Sequence, residues 1–219
     1  GFKGVNGKGD IIKSGGTVVK NVTGYDLSKL IAGSFGTLVV LTEITLKVLP
    51  KKDTSKTVII YSSNFEQIYD FFNKLSSSSS EISGAVFIPE QSKDKDFIGK
   101  KNSVFKFNDL KSDVSFIAFR VEGDKISIEE KINNLKKELQ LNNSDTSTLD
   151  VYQSEPFWKK INNLEVFEKT EHNLIRMVIP PASGSKLCKY LDKNHNYFVD
   201  WCGSLFWIEV DFKKEEKIK

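Results

Sequence analysis

Apolar and polar positions along the first fifty residues predict two strands, a short helix and a third strand. Residues 2–5 and 10–13 alternate between the two kinds of side chain around a turn that contains glycine, which is the pattern of a β-hairpin. Asp26 stands where a side chain caps a helix, and Gly33 stands where a glycine commonly ends one. The apolar and β-branched run from Leu38 to Leu49 predicts one long strand.

A polar break at residues 50–54 precedes a longer pattern, and we place a domain boundary there, between residues 1–52 and 53–219. The predicted strands beyond it cover residues 56–61, 85–88, 115–121, 173–179, 197–201 and 205–212. The predicted helices begin at two capping boxes, Ser63 with Glu66 and Ser127 with Glu130, and a further helix covers residues 182–191. This order predicts an α+β domain, with helices on one face of a largely antiparallel sheet of ferredoxin-like units.

The composition is that of a soluble globular protein, with 39% hydrophobic residues, 28% charged residues and a net charge of +3. Since the lysines are interspersed with acidic residues, nothing points to a nucleic-acid partner. No apolar run approaches the ~20 residues that cross a bilayer, and no signal peptide is recognisable, so we expect a cytoplasmic protein without a transmembrane segment. Cys188 and Cys202 lack a metal-binding spacing, and we expect His172 and His195 to be surface residues rather than metal ligands.

Glycine is concentrated between residues 14 and 36, where five occur. Because glycine weakens ordinary helices and strands, this density indicates left-handed turns or backbone that a ligand approaches closely. The predicted turn over residues 33–37 would leave several backbone N–H groups unpaired side by side, which suits an anionic ligand or the polar rim of a flavin. The alternative is that these residues only shape the turn and cap the helix, which we favour for Asp26.

A family resemblance is carried by the sequence KNVTGYDLSKLIAGSFGTLVVLTEITLKVLP. It resembles the second FAD-binding subdomain of the vanillyl-alcohol oxidase type, or PCMH-type, flavoproteins, and in particular the FAD-binding E subunits of glycolate oxidase. The segments LIRMVIPPASG and FVDWCGSLFWIEV resemble the later part of those subunits. The resemblance implies that residues 1–52 are the C-terminal part of a PCMH-type FAD-binding domain and that residues 53–219 form a cap that contacts substrate or another subunit. It also implies that a first FAD subdomain precedes Gly1, so the 219 residues alone should bind FAD weakly.

The resemblance implies FAD as the cofactor and a set of residues that approach it, chiefly through backbone atoms. These residues are Lys20, Asn21, Gly24, Tyr25, Asp26, Gly33, Ser34, Gly36, Thr37, Leu38 and Val40. One position departs from the family pattern: Val39 replaces a usual glycine, and its side chain would crowd a backbone that approaches the cofactor.

Two groups of residues in the cap are candidates for chemistry. Arg176 lies between apolar residues of a predicted strand, where a charge needs a partner or a wet cavity. It is suited to pair bidentately with the carboxylate of a small 2-hydroxy acid, and the alternative is an ion pair on a solvent-facing strand. Asp200, Trp201 and Trp207 form either a wall over the flavin or part of the cap core. Catalytic relatives carry a histidine motif, His-Gly-Asp-Gly-Asn-x-His, that this sequence lacks, so no catalytic base is identified.

Three functions are consistent with these residues. The first, implied by the resemblance, is an FAD-binding subunit that supports oxidation of glycolate to glyoxylate in a complex with a catalytic D-type flavoprotein subunit and an iron–sulfur subunit, with any membrane association made through that complex. The second is a stand-alone FAD-dependent oxidoreductase that uses Arg176 as a substrate anchor. The third is a structural subunit that has lost FAD, which Val39 would favour.

Overall fold

The structure is a computed structural model that describes residues 1–16, 24–62, 64–90, 114–142, 146–167, 172–191 and 195–211. The chain divides into two compact units, unit 1 from Gly1 to Lys51 and unit 2 from Lys52 to Lys219. Within the described ranges, no helix combines the length and the apolar character needed to span a bilayer.

Unit 1 is a three-stranded antiparallel sheet with one short helix. Its elements are β1 (Phe2–Asn6), β2 (Ile11–Ser14), α1 (Leu27–Ile31) and β3 (Val39–Ile44), and the strand order is β2-β1-β3. The predicted hairpin is confirmed, since β1 pairs with β2 from Phe2↔Ser14 to Val5↔Ile11. Its turn is fixed by the Asn6 side chain, whose Oδ1 accepts hydrogen bonds from the N–H groups of Lys8 and Asp10, each at 2.9 Å.

The third strand is shorter than the predicted strand from Leu38 to Leu49. It ends at Ile44, which pairs with Phe2, and the next residue, Thr45, donates its N–H to the carbonyl of Gly1 at 2.9 Å. A strand needs a neighbour to satisfy its backbone, and β1 offers none beyond Gly1. The alternation of side chains therefore identified an extended segment correctly but could not show how much of it is paired.

Unit 2 contains a seven-stranded antiparallel sheet in the order β7-β4-β6-β5-β9-β10-β8. Its strands are β4 (Thr54–Tyr61), β5 (Ile82–Ile88), β6 (Phe116–Gly123), β7 (Thr146–Leu149), β8 (Asn173–Val178), β9 (Asn196–Asp200) and β10 (Leu205–Val210). Its helices are α2 (Phe65–Ser77), α3 (Ser127–Glu138), α4 (Val151–Asn162) and α5 (Pro181–Leu191), with 3₁₀ turns at Glu165–Phe167 and Trp201–Gly203. The predicted antiparallel α+β architecture is confirmed, although residue 212 of the last predicted strand lies outside the described residues.

Helices cover both faces of this sheet, whereas the sequence predicted one. Helices α2, α3 and α5 pack on one face through side chains such as Phe72, Leu135 and Cys188. Helix α4 packs on the other face, where Phe157 and Trp158 contact the strands. The sequence pattern missed α4 because its helical span contains a proline, Pro156, and Asp150 supplies the capping box with Gln153 at its start.

The residues that cap α2 and α3 in the described structure differ from the predicted serines. Ser63 lies outside the described residues, and the cap of α2 is Asn64, whose Oδ1 accepts from the N–H groups of Glu66 and Gln67. At α3, the carboxylate of Asp124 accepts from the N–H groups of Ile126 and Ser127, and Ser127 Oγ donates to the same carboxylate at 2.6 Å. These hydrogen bonds lower the pKa of Asp124 to about 2, so an ionised carboxylate has taken the place that we assigned to a serine hydroxyl.

Candidate functional site

Unit 1 presents a sharp glycine turn between α1 and β3. Gly33 and Gly36 have φ of +84° and +75°, and Phe35 between them has φ of +51°. The turn is closed by hydrogen bonds from Ser34 N to Ile31 O and from Thr37 N to Ser34 O, each at 3.0 Å. Thr37 Oγ1 also donates to Ser34 O at 2.7 Å. Glycine is required at both positions because side chains disfavour these backbone angles.

The space beside this turn is open. A Cβ atom added to Gly33 or Gly36 would meet no atom within 4 Å, and the ring of Phe35 is 98% exposed. Among the described residues, the N–H groups of Phe35, Gly36 and Leu38 donate to no other group. A run of free donors beside open space is able to receive an oxygen-rich ligand, so the turn fits the pyrophosphate or the polar rim of a flavin nucleotide.

The remaining cofactor-binding predictions in unit 1 have different outcomes. Lys20 and Asn21 lie outside the described residues. Gly24, at φ +82°, and Tyr25 are exposed. Asp26 caps α1, with Oδ1 accepting from Lys29 N at 3.3 Å, and the hydrogen bonds from Lys29 lower the pKa of its carboxyl group. A local role therefore accounts for Asp26, while the role of each of these residues toward FAD stays a prediction.

Val39 does not project into the open space beside the turn. Its side chain is buried against β1, and a Cβ on Gly4 would lie 2.4 Å from Val39 Cγ1. Val40, the next residue, is exposed on the opposite face of β3. The valine at this position is thus accommodated by the missing side chain of Gly4, while its effect on a cofactor stays a prediction.

Unit 2 contains a cluster of two indoles and a guanidinium on the sheet face that also carries α4. Trp207 of β10 pairs with Arg176 of β8 on one side and with Phe198 of β9 on the other. Arg176, Trp207 and Phe198 therefore form one row across the three strands. The guanidinium carbon of Arg176 lies 5.0 Å from the ring centre of Trp201 and 6.0 Å from that of Trp207. Stacking on indoles stabilises a guanidinium without neutralising its charge.

The other arginine of the chain provides a contrast, since the sequence contains only Arg120 and Arg176. Arg120 also stacks on an indole, at 5.2 Å from the ring of Trp158, but its Nε donates to Ser83 Oγ at 2.8 Å and lies 3.8 Å from a Glu122 oxygen. Within the described residues, Arg176 has no hydrogen-bond or ion-pair partner. The alternative of an ion pair for Arg176 is therefore not found among the described residues, and a guanidinium of this kind is suited to bind a carboxylate.

Trp201 is held over Arg176 by an unusual turn between β9 and β10. Trp201, Cys202 and Gly203 all have positive φ, at +51°, +50° and +94°. The turn is fixed by Asp200 Oδ1, which accepts from Trp201 N at 2.7 Å, and by Tyr69 of α2, whose hydroxyl donates to Gly203 O at 3.4 Å. Non-glycine residues in this region cost of order 1–3 kcal/mol each, so packing against α2 must compensate for the strain.

Asp200 lies on the same sheet face as Arg176 and Trp207, because it is opposite Leu205, two residues from Trp207. Its carboxyl group is mostly buried, and burial raises its pKa. Strand spacing separates the Cα atoms of Asp200 and Arg176 by roughly 12 Å, a span that a long arginine side chain and a small ligand fill. The sequence grouped Asp200 with the tryptophans as a wall but gave no sign that its pKa is shifted.

Other reactive side chains in unit 2 are less suited to chemistry. Burial raises the pKa of the Cys202 thiol, which keeps it protonated and weakly nucleophilic at neutral pH. His172 and His195 are half buried rather than on the surface as predicted, and His195 stacks on Tyr190 with ring centres 6.1 Å apart. Among the described residues, no three histidine, cysteine or acidic side chains are grouped as metal ligands.

Comparison with known proteins shows similarity to flavin-linked oxidoreductases, although no protein-family model matches the chain. The chain is 38% identical over 89 residues to glycolate oxidase subunit GlcD of Bacillus subtilis, covering 41% of this chain and 17% of that subunit. It is 55% identical over 51 residues to glycolate oxidase subunit GlcE of Escherichia coli, covering 23% of this chain and 15% of that subunit. It is 41% identical over 68 residues to the FAD-linked oxidoreductase Rv2280 of Mycobacterium tuberculosis, covering 31% of this chain and 15% of that protein.

A solved structure has a similar fold. Alkyldihydroxyacetonephosphate synthase aligns with 99% of this chain and 45% of its own, at a TM-score of 0.59 and 12% identity. The α+β fold expected from the sequence is thereby confirmed. The alignments with the curated relatives span 15–17% of each relative's length, so those relatives contain much that this chain does not match.

Proposed function

Since the chain is homologous to glycolate oxidase subunits and to FAD-linked oxidoreductases, we propose that it belongs to an FAD-dependent oxidoreductase that acts on a small 2-hydroxy acid. More specifically, we propose that the chain is an FAD-binding subunit of a glycolate oxidase and supports the oxidation of glycolate to glyoxylate. The observation that carries it is Arg176, an exposed cation on edge strand β8 that lies over two indoles and has no acidic partner among the described residues.

The glycine turn of unit 1 is the proposed FAD cradle. The backbone donors at Phe35, Gly36 and Leu38 would hold polar oxygens of the cofactor, and the open side of Gly33 and Gly36 would let it approach the main chain. When bound, FAD supplies the acceptor for the electron pair that leaves the substrate carbon. The protein's contribution is to bind, orient and exclude water around that reaction.

The cluster of unit 2 is the proposed substrate site. Arg176 would bind the substrate carboxylate through two parallel hydrogen bonds, the geometry that guanidinium favours. Trp201 and Trp207 would shield that pair from water and so strengthen it. Asp200 is the proposed acceptor of the α-hydroxyl proton, because its raised pKa brings a carboxylate closer to the range useful for general-base catalysis. It would replace the histidine motif that the sequence lacks.

The alternative within the same proposal is that this chain is a companion subunit. In that case a catalytic D-type flavoprotein subunit oxidises the substrate, and an iron–sulfur subunit receives the electrons, with this chain carrying FAD beside them. The homology to both GlcD and GlcE supports a multi-subunit complex. The absence of the histidine motif from the sequence supports the companion role.

An anaerobic absorption spectrum of the full-length protein, recorded alone before and after glycolate is added, separates these roles. Bleaching of the oxidised flavin band would establish a complete site in this subunit, whereas a persistent band would favour the companion role. A protein purified without flavin would contradict the proposed FAD function.

Arg176→Gln should abolish bleaching by glycolate. Arg120→Gln is the matched control, since Arg120 already has polar partners within the fold.

A substitution in the turn tests the cradle. Gly36→Ala should weaken FAD retention by about tenfold, because a side chain at φ +75° costs about 1–2 kcal/mol and would enter the open side of the turn. Gly7→Ala is the matched control, since Gly7 also has no neighbour within 4 Å but lacks a positive φ. Flavin content after gel filtration is the measurement. Equal retention by the two variants would contradict the assignment.

A further inference from the structure

We infer that Trp201 limits the size of the substituent on the substrate's α-carbon, and so restricts the site to the smallest 2-hydroxy acids. This inference rests on the proposed function, since it takes Arg176 as the carboxylate anchor. It adds the residue that sets the size limit within the proposed substrate class. Its starting point is the position of one exposed indole over the guanidinium.

Trp201 is a large aromatic side chain that the fold leaves 56% exposed, although burying an indole is usually favourable. Its ring is closer to the Arg176 guanidinium than that of Trp207, at 5.0 Å against 6.0 Å. In the proposed site, a carboxylate paired with that guanidinium would hold its α-carbon one bond further out, on the side of the Trp201 ring. A hydrogen on that carbon needs little room, whereas a methyl group directed toward the ring would contact the indole.

The turn that carries Trp201 cannot easily move aside. Ser204 N donates to Trp201 O at 3.2 Å, and Asp200 Oδ1 accepts from Trp201 N at 2.7 Å. A Cβ added to Gly203 would lie 2.9 Å from the Tyr69 ring and 3.1 Å from that of Phe72, so the turn is packed closely on α2. Because the backbone is fixed at both sides of the indole, a larger ligand meets a rigid wall rather than an adaptable one.

An indole in this position would discriminate between ligands by the size of the group on the α-carbon. One methylene group in an apolar pocket changes binding by about 10–200-fold, so the first added methyl should show a clear effect. The expected preference is for two-carbon acids over three-carbon acids, and for three-carbon over four-carbon ones.

The test is equilibrium binding of the corresponding 2-oxo acid products, which do not turn over with the oxidised enzyme. Glyoxylate, pyruvate and 2-oxobutyrate are titrated calorimetrically into the full-length protein and its variants. Trp201→Gly and Trp201→Asn both remove the indole, and both replacement residues tolerate the positive φ of this position. Trp201→Phe removes the indole but keeps an aromatic ring. Tyr152→Ala, at another exposed aromatic residue of unit 2, is the control.

We expect the ratio of glyoxylate to pyruvate affinity to fall about tenfold in the Gly and Asn variants and to stay near the parent value in the Phe and Tyr152 variants. An unchanged ratio in the Gly and Asn variants, with binding still abolished by Arg176→Gln, would overturn the role of Trp201 and leave the proposed function intact. Binding by the parent protein that does not depend on Arg176 would overturn the proposed function and this inference together.

Discussion

Asp200 is a carboxyl group whose burial has a consequence for stability as well as for chemistry. Burial raises its pKa, so the folded protein holds the proton to a higher pH than the unfolded chain does. Between the two pKa values the folded state binds more protons, and stability therefore falls as the pH rises through this window. Above the raised pKa the full penalty for the ionised carboxylate is present.

We therefore expect Asp200→Asn to gain stability relative to the parent protein as the pH rises from about 4 toward neutrality. The asparagine still offers an oxygen to Trp201 N, so the cap of the turn is kept. Urea unfolding, followed by tryptophan fluorescence at a series of pH values, measures the difference. Asp53→Asn, at an exposed position, should run parallel to the parent protein. A parallel curve for Asp200→Asn would contradict the raised pKa.

Gly4 is a second residue whose role is set by one contact. A Cβ there would lie 2.4 Å from Val39 Cγ1 and 2.6 Å from Val40 O. We expect Gly4→Ala to destabilise unit 1 by about 1–3 kcal/mol, as overpacking does. Val39→Ala should recover part of this loss when combined with Gly4→Ala, because it removes one of the two clashes. Hydrogen exchange of β3 amides is the measurement.

Additive effects of the two substitutions would show that Gly4 and Val39 do not interact. Recovery of the full loss would show instead that the Val40 carbonyl is able to shift.

At the scale of elements, alternation in the sequence located most strands of unit 2, and their observed ends lie within a few residues of the predicted ones. It missed β7, which is short, and α4, which contains Pro156. Helix starts were predicted less well, because a cap depends on which nearby side-chain oxygen reaches the first N–H groups. Asn64 and Asp124 do so, whereas Ser127, which fits the sequence pattern, donates to Asp124 instead.

The cap at the start of α4 can be tested by substitution. Asp150 Oδ1 accepts from the N–H groups of Tyr152 and Gln153 at 2.9 and 3.1 Å. We expect Asp150→Ala to cost about 0.5–2 kcal/mol of stability and Asp150→Asn to cost little, since asparagine caps nearly as well. Urea unfolding monitored by tryptophan fluorescence reports on the adjacent Trp158. Equal losses in the two variants would indicate that charge, rather than capping, matters there.

At the scale of the molecule, unit 2 contains both buried clusters and all three tryptophans. We expect a chain of residues 52–219 to unfold cooperatively in urea, because its core is complete within those residues. The tryptophan-fluorescence midpoint is the measurement. A gradual, non-cooperative transition would show that unit 2 needs residues 1–51 to fold.

The two candidate sites differ in how far the sequence alone predicts them. The glycine turn is local, so its composition was enough to predict it. Arg176 was identified as a charge in an apolar strand, but its stacking on two indoles depends on strand register and on the turn after β9. The sequence places Arg176 and Trp201 25 positions apart, and only tertiary structure brings them together.

The strand order of unit 2 has a consequence for how such a protein evolves. The strands that carry most of the buried core, β4, β6 and β5, lie inside the sheet, while β8 with Arg176 lies at its edge and is largely exposed. Substitutions on β8 therefore disturb little packing. If the proposed site at Arg176 is correct, substrate preference can change through substitutions in that strand while the rest of the sheet stays constant, and this edge is where selectivity could be redesigned without rebuilding the fold.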